Sequence, residues 1–259
     1  MSASNSDLAV IRDCLGDPAG KLRPHYQPTI DRTGRIVAVE ALARWRPGNP
    51  DRPRSGQHII DVIEQGGPGM ALTNAMVAES FAALHRWHTA GHPDLSLSLN
   101  VFVGDLGHIA DTVTAAAAAL GLPARRLTVE IKGDASQQRV ADTVRRLHHD
   151  GIGAVIDHFG ADRADLGWLA IVPFDGIKLD QWLISGIHRN PRNRAVVRHL
   201  IGLADELGMH VTACGLEHPA EVACVTDLGV HRYQGFGIAG ASTDGIISDL
   251  LADGMPRVG

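Results

Sequence analysis

Cysteine and aromatic residues are scarce in this chain of 259 residues. The three cysteines, Cys14, Cys214 and Cys224, are an odd and sparse set, and no two of them stand in a CxxC spacing. This usage excludes a disulfide framework and a cysteine-based metal site, and it is typical of proteins of a reducing compartment. We therefore expect a cytoplasmic protein.

Long apolar segments and an excess of positive charge are also missing. No apolar run approaches the roughly 18 residues that cross a bilayer, and the first residues lack the apolar segment of a secretion signal. The net charge of -5 argues against a general nucleic-acid binder, which usually presents a basic face. We expect no membrane partner and no direct nucleic-acid partner, while a small anionic ligand remains compatible with a pocket of its own local charge.

Enough hydrophobic residues are present for a large core, at 44% of the chain, although only 4% are aromatic. Short β-rich runs alternate with longer helical patterns, which predicts βαβ units and a mainly parallel sheet of about seven or eight strands. No GxGxxG follows the first run, so a doubly wound sheet is disfavoured. We predict one α/β barrel over residues 21–255, preceded by a tail or helix over residues 1–20. The β-rich runs are IVAVEAL, SLSLNV, LTVEI, GAVID, GIKLD, HVTAC and RYQGF.

Most of these runs carry a polar residue at or near their end. In a barrel the carboxyl ends of the strands meet at one mouth, where active sites lie. A polar residue at a single strand end can simply meet water, but acids and an amide inside several apolar runs are costly to bury without partners. The ring predicted at the mouth comprises Glu40, Asn100, Glu130, Asp157, Lys178, Cys214 and Gln234.

The chemistry of this ring suits a metal ion and a phosphate. Glu40, Asn100, Glu130 and Asp157 offer the oxygen ligands that Mg²⁺, Mn²⁺ or Ca²⁺ prefer. Lys178 could orient a phosphate or help to deprotonate water. The alternative for this lysine is a structural ion pair with Asp157 or Asp180. Arg44 could bind a second phosphate through a bidentate contact.

Six segments, in order, carry a resemblance to a known family. They are HYQPTIDRTGRIVAVEALARW, LSLN, LTVEIKG, AVIDHFGADRADLGWLAIVPFDGIKLD, VTACGLE and YQGFGIAGAS. Together they cover the chain from about Tyr26 to Ala241 and resemble the EAL domains, which hydrolyse cyclic di-GMP to its linear dinucleotide. The resemblance implies a TIM-like (β/α)8 barrel with one antiparallel strand.

The resemblance also implies roles for individual residues. Four match ligands of a first metal ion: Glu40, Asn100, Glu130 and Asp157. Lys178 matches the lysine near the nucleophilic water, and Glu40, Lys178 and Glu217 would be the catalytic group. Residues that match the cyclic di-GMP groove are Gln27, Leu42, Arg44, Asn100, Asp157, Asp180, Glu217 and Gln234.

Three positions depart from the family pattern. His158 replaces the second acid of DDFG, and Cys214 replaces the glutamate of AEGVE; both fall at ligands of the family's second metal ion. Gly133 replaces the glutamate that anchors the following loop, which here reads ADRAD. Two dications held roughly 3.5–4 Å apart need anionic ligands, and Mg²⁺ binds imidazole and thiol poorly. We therefore expect Mg²⁺ or Mn²⁺ at one site at most.

Three functions follow from this pattern. The first is a degenerate EAL domain that binds cyclic di-GMP and passes its occupancy to a protein partner with little or no hydrolysis. The second is a working phosphodiesterase that is either slow or uses another metal, with His158 and Cys214 favouring a softer ion such as Zn²⁺ or Co²⁺. The third is a protein–protein interaction module without ligand binding, suggested by the altered loop. A homodimer is implied by family analogy alone.

Overall fold

A computed structural model describes residues 22–45, 69–132, 135–161 and 166–254. Its eight strands close into a barrel in chain order, which confirms the predicted barrel. The apolar faces of these strands pack outward against the helices, with Val39, Val129 and Ile177 fully buried. The strands are β1 (Leu22–Asp31), β2 (Ile36–Trp45), β3 (Ser96–Asn100), β4 (Leu127–Ile131), β5 (Gly153–Phe159), β6 (Gly176–Leu179), β7 (His210–Ala213) and β8 (Arg232–Tyr233).

The first strand runs against its neighbours. β1 pairs antiparallel with both β2 and β8, and every other neighbouring pair is parallel. This is the single antiparallel strand that the family resemblance implied. The hydrophobic pattern alone did not mark β1 as a strand, because Pro24 and Pro28 interrupt it and proline is depleted in strands.

Several strand boundaries also differ from expectation, and two of them concern residues of the predicted ring. β2 continues past Leu42 to Trp45, so Glu40 lies in the middle of the strand and not near its end. The run RYQGF forms a strand only over Arg232–Tyr233, and Gln234 follows it. In both cases the side chain still points into the lumen. Alternation along a strand decides which face of the sheet a residue lies on, wherever the strand ends.

Helices surround the barrel and bury their apolar sides on it. In the described part of the chain they are α1 (Gly69–Thr89), α2 (Ile109–Leu120), α3 (Gln137–His149), α4 (Leu166–Ile171), α5 (Gln181–Ile184), α6 (Pro191–Glu206), α7 (Pro219–Leu228) and α8 (Asp244–Asp253), with 3-10 turns at Val103–Asp105, Ala124–Arg126 and Ile187–Arg189. Trp87 of α1 meets Tyr26 of β1 edge to face, with ring centroids 5.0 Å apart. No helix in these described ranges is long and apolar enough to cross a membrane.

Some predictions fall outside the described residues. The predicted N-terminal tail or helix over residues 1–20 lies there, as do Gly133 and residues 162–165 of the altered loop. The domain boundaries and the loss of the loop anchor therefore stay predictions.

Glu221, in the first turn of α7, ties two loops together. It is 2% exposed. One carboxylate oxygen accepts the backbone N–H of Gly186 at 2.7 Å, and the other accepts those of Glu217 and His218 at 3.0 and 3.1 Å. Burial alone would raise the pKa of Glu221, but these three donors outweigh it and hold the pKa below the ordinary value.

We expect Glu221→Ala to lower the free energy of unfolding by about 3 kcal/mol, because it leaves three backbone donors without their charged acceptor. Since the pKa of Glu221 is lowered in the folded state, its stabilisation is present above the ordinary pKa of 4.5 and is lost as the pH falls through the folded value. Denaturant titrations at several pH values measure both effects. The exposed Glu206→Ala is the matched control, and an equal loss there would contradict the assignment.

Candidate functional site

The ammonium group of Lys178 lies among three carboxylates at the carboxyl end of the barrel. Its Nζ is 2.7 Å from Glu40, 2.5 Å from Glu130 and 3.7 Å from Asp157. All four residues are buried. The predicted ring therefore does form, and the alternative of a structural ion pair for Lys178 is present as well, with Glu40 and Glu130 as the nearer partners.

Glu40 is the most heavily bonded member of the ring. Its Oε1 accepts from the amide of Asn100 at 2.7 Å, and its Oε2 accepts from Lys178 at 2.7 Å and from the amide of Gln234 at 3.0 Å. The strand register brings these side chains to one face, because Glu40 pairs with Ser98, two residues before Asn100 on β3, and Asn100 pairs with Glu130 on β4. Residues paired in this way point into the lumen together.

Burial and mutual repulsion divide the charge within the ring. Burial raises the pKa of Glu130 to about 8, with a further contribution from the carboxylate of Glu40. Burial also opposes ionisation of Glu40, but Lys178 and the two amide donors hold the pKa of Glu40 below its ordinary value. Desolvation would lower the pKa of Lys178, yet the surrounding carboxylates raise it. Lys178 and Glu40 thus form an ion pair, while burial and the repulsion from Glu40 favour the protonated form of Glu130 more than for an ordinary carboxylate.

His158 connects two acids at the rim of this ring. Its Nδ1 is 2.8 Å from Asp180 and its Nε2 is 3.2 Å from Asp157. The backbone of His158 is left-handed, with φ of 53°, next to an irregularity in the pairing of β5 and β6. Such a conformation in a non-glycine residue stores strain and is often found at functional sites. In this geometry both ring nitrogens of His158 lie within hydrogen-bond distance of a carboxylate.

Cys214 follows β7 and faces the same space. Its Sγ is 3.6 Å from the side-chain oxygen of Gln234, with the thiol as donor. Burial raises the pKa of the Cys214 thiol, and this outweighs the nearby ammonium of Lys178. The group is therefore a neutral thiol at physiological pH and supplies no negative charge to a cation.

A cavity of about 250 Å³ opens over the ring. It brings together nine of the predicted residues, namely Gln27, Glu40, Leu42, Asp157, His158, Lys178, Asp180, Cys214 and Gln234. Four other predicted residues do not line it. Asn100 donates to Glu40, and Glu130 accepts from Lys178. Arg44 donates to the carbonyl of Ala43, and Glu217 accepts from the side chain of Gln181.

Phe236 is a cavity-lining residue that sequence reasoning missed. Its side chain is 75% exposed at the rim, just beyond β8. An exposed aromatic ring at the mouth of a polar cavity is a surface on which a nucleobase can stack. The signal available in the sequence was a phenylalanine directly after the strand-end segment YQG, in a chain with few aromatic residues.

The donor set of the ring fits a hard cation in chemistry. Three carboxylates face one ammonium, so the site holds more acidic groups than its own cation neutralises. In the described ranges no group of three or more His, Cys, Asp or Glu is arranged to hold a metal ion. The lysine would have to move away from Glu40 and Glu130 for these oxygens to converge on a metal. The predicted metal ligands therefore stay a prediction.

Comparison with protein families adds to this geometry. The family described as "EAL domain" matches residues 13–241. The chain belongs to the EAL domain family. Among curated relatives, the cyclic di-GMP phosphodiesterase NbdA of Pseudomonas aeruginosa is 29% identical over 87% of this chain and 29% of its own length. The cyclic di-GMP phosphodiesterase PA2567 of the same organism is 31% identical over 83% of this chain and 37% of its own.

The chain spans about a third of the length of the curated relatives it matches, at 34%, 29% and 35% for three of them. Among solved structures, the EAL domain of Mycobacterium smegmatis DcpA is 26% identical, with a TM-score of 0.77 over 91% of this chain and all of that domain. A cyclic di-GMP complex of the PaMucR phosphodiesterase shares the fold with a TM-score of 0.85 at 23% identity, covering 93% of this chain and 98% of the other.

We expect Lys178→Met to lower the free energy of unfolding by about 3–5 kcal/mol, because removing one partner leaves buried carboxylates without their cation. Added Mg²⁺ or Mn²⁺ should restore part of this loss, since a dication can replace the ammonium among the same oxygens. Thermal unfolding with and without the metal ion measures both effects. Lys132→Met is the matched control. Equal stability of the two variants, or no metal response specific to Lys178→Met, would contradict this description of the ring.

Proposed function

We propose that this EAL domain binds cyclic di-GMP and acts as a receptor with little or no hydrolysis. The observation that carries the proposal is the state of His158 and Cys214. The first is bonded to two aspartates, and the second is a buried thiol with a raised pKa. At the positions that resemble second-metal ligands, the chain therefore offers an imidazole and a neutral thiol in place of two carboxylates.

Several features of the cavity support binding. Its lining includes the amides of Gln27 and Gln234 and the exposed ring of Phe236, which together offer hydrogen bonds and a stacking surface. Arg44 lies half-buried on β2 near the same mouth, and a guanidinium pairs with phosphate in a bidentate manner. The PaMucR structure and a structure of the FimX EAL domain from Pseudomonas aeruginosa were both solved with cyclic di-GMP, which supports this ligand class.

Hydrolysis is disfavoured by the same residues. Glu40, Asn100, Glu130 and Asp157 would hold one Mg²⁺ or Mn²⁺, which would polarise a phosphate or a water molecule when bound. Two-metal phosphodiester cleavage needs a second ion that stabilises the other reacting oxygen. Without anionic ligands for that ion, the lost electrostatic stabilisation amounts to several kcal/mol, or orders of magnitude in rate. The ammonium of Lys178 cannot replace the charge of this second ion while it is paired with Glu40 and Glu130.

A slow phosphodiesterase with a softer metal is the second candidate. It is favoured by one observation, that His158 and Cys214 line the same cavity as Asp157, since imidazole and thiolate suit Zn²⁺ or Co²⁺. The raised pKa of Cys214 weighs against it, because a metal ion binds the thiolate and would first have to displace the proton.

The candidate of an interaction module without ligand rests on the altered loop, most of which lies outside the described residues. A receptor passes its occupancy to a partner, so the proposal includes a protein partner. It also includes a homodimer, by family analogy. Both stay predictions.

We expect calorimetry to detect cyclic di-GMP binding in the micromolar range with or without Mg²⁺, while hydrolysis stays negligible with Mg²⁺, Mn²⁺, Co²⁺ and Zn²⁺. The double variant His158→Asp with Cys214→Glu should raise turnover with Mg²⁺ by about a hundredfold, because it returns two anionic ligands to the second site. The same two changes made at His149 and Cys224 are the matched control.

Two outcomes would contradict the receptor proposal. One is the absence of binding at tens of micromolar ligand with and without metal, which would favour the interaction module. The other is turnover by the unaltered protein that equals that of the double variant, which would favour the phosphodiesterase.

We expect Phe236→Ala to weaken cyclic di-GMP binding by about 1–3 kcal/mol, the usual loss on removing a ring that stacks on a base. The melting temperature should not change, because the ring is exposed. Leu207→Ala, which also removes an exposed hydrophobic side chain, is the control, and titration calorimetry is the measurement. Equal affinity of the two variants would remove Phe236 from the site.

A further inference from the structure

The end of the barrel opposite the cyclic di-GMP cavity carries a second group of polar side chains. Arg232 is two residues before Gln234, so strand alternation directs both into the lumen, Gln234 above and Arg232 below. Arg232 pairs with Thr212 of β7, and His210 stands two residues before Thr212 on the same face. Arg232 and His210 thus occupy the lower end of the lumen.

Gly176 leaves the room that this pair needs. Gly176 pairs with His210 across β6 and β7, and a Cβ placed at Gly176 would lie only 2.6 Å from Cε1 of the His210 ring. A larger residue at this position would push the imidazole out of the lumen. Below the imidazole of His210 is a cavity of about 430 Å³, whose lining includes Asp31, Asp175, His210, His231 and Arg232.

Arg232 is a half-buried cation without a carboxylate partner. Its Nη1 donates to Nε2 of His210 at 3.0 Å, and in the described ranges it forms no ion pair. Burial lowers the pKa of the guanidinium, and no nearby acid opposes this. His210 is its neutral acceptor, because burial and the adjacent Arg232 lower the pKa of His210 to about 4. A charge held away from water in this way is costly unless it is paired.

The acids that line the cavity are already committed to other groups. Asp31 accepts from the backbone N–H groups of Thr33 and Arg35 at 2.8 and 3.1 Å and from the Thr33 hydroxyl at 2.6 Å. Asp175 accepts from the backbone N–H of Ala154 at 2.7 Å and lies 2.8 Å from His148 through the same oxygen. Asp31 is the register partner of Arg232 on β1, yet in the described ranges neither acid lies within ion-pair distance of the guanidinium.

His231 completes the wall without supplying a negative charge. Its Nδ1 accepts the backbone N–H of Val211 at 2.9 Å, so the ring proton lies on Nε2, which is 3.1 Å from Asp205. This histidine pairs with Asp205, which does not line the cavity. Among the described residues at the lower end of the lumen, Arg232 is therefore the one cation whose guanidinium still has N–H groups without a partner.

We propose that the lower cavity binds a small oxyanion, a phosphate or carboxylate group, through the guanidinium of Arg232. The planar donors of arginine match two oxygens of such a group, and the partly desolvated setting strengthens the pairing. The size of the cavity admits a small anion, and its opening lies at the end of the barrel away from the cyclic di-GMP site. The inference therefore stands apart from the function proposed for that site.

Titration with inorganic phosphate, at constant ionic strength kept with chloride, tests this directly. Histidine-labelled protein should show saturable shifts of the His210 ring resonances with a dissociation constant in the millimolar range or below. Calorimetry should show phosphate affinity at least about tenfold weaker for Arg232→Gln, with partial recovery for Arg232→Lys, which keeps the charge but not the planar fork. A parallel titration with acetate separates carboxylate from phosphate binding.

Arg145→Gln, a change to an exposed arginine of α3, is the matched control and should bind phosphate like the unaltered protein. If Arg232→Gln does not fold, the resonances of the unaltered protein decide alone. Shifts that grow linearly without saturation for both phosphate and acetate, or equal phosphate affinity in Arg232→Gln and Arg145→Gln, would overturn the proposal.

Discussion

The pairing of Lys178 with buried carboxylates is the interaction on which the upper half of this barrel depends. It joins β6 to β2 through Glu40 and to β4 through Glu130, across a lumen that apolar side chains would otherwise fill. A buried carboxylate is tolerated only with a charge partner and hydrogen bonds, and Glu40 has both, through Lys178, Asn100 and Gln234. The same pairing that stabilises the fold therefore places the polar groups of an EAL site at its mouth.

This pairing also separates binding from catalysis. In the proposed receptor, the three carboxylates would exchange the ammonium for a single divalent ion, because both kinds of partner offset the same negative charge. A second ion would lack anionic ligands at His158 and Cys214, since His158 is bonded to Asp157 and Asp180 and the thiol of Cys214 stays protonated. The amides and the exposed Phe236 do not depend on either ion. A site that keeps its amides and its aromatic ring but lacks ligands for a second metal ion suits recognition of a dinucleotide better than its cleavage.

Much of the fold was predictable because alternation of strands and helices leaves few topologies, and the ring was predictable because acids are rare inside apolar strands. β1 was hidden from the hydrophobic pattern by Pro24 and Pro28, and only the family resemblance implied its direction. The partners of Lys178 could not be chosen from the sequence, since four acids stood at plausible positions. The left-handed backbone of His158 and the unpaired Arg232 depend on contacts between distant strands, which no local pattern encodes.

We propose that the upper cavity holds cyclic di-GMP intact, with at most one metal ion. A crystal structure after soaking with cyclic di-GMP and Mn²⁺ tests it most directly, because anomalous scattering counts the ions near Asp157 and the density shows whether the phosphodiester ring is closed. We expect a closed phosphodiester ring, one ion or none among Glu40, Asn100, Glu130 and Asp157, and no ion between His158 and Cys214. A linear dinucleotide with two ions in the cavity would contradict it.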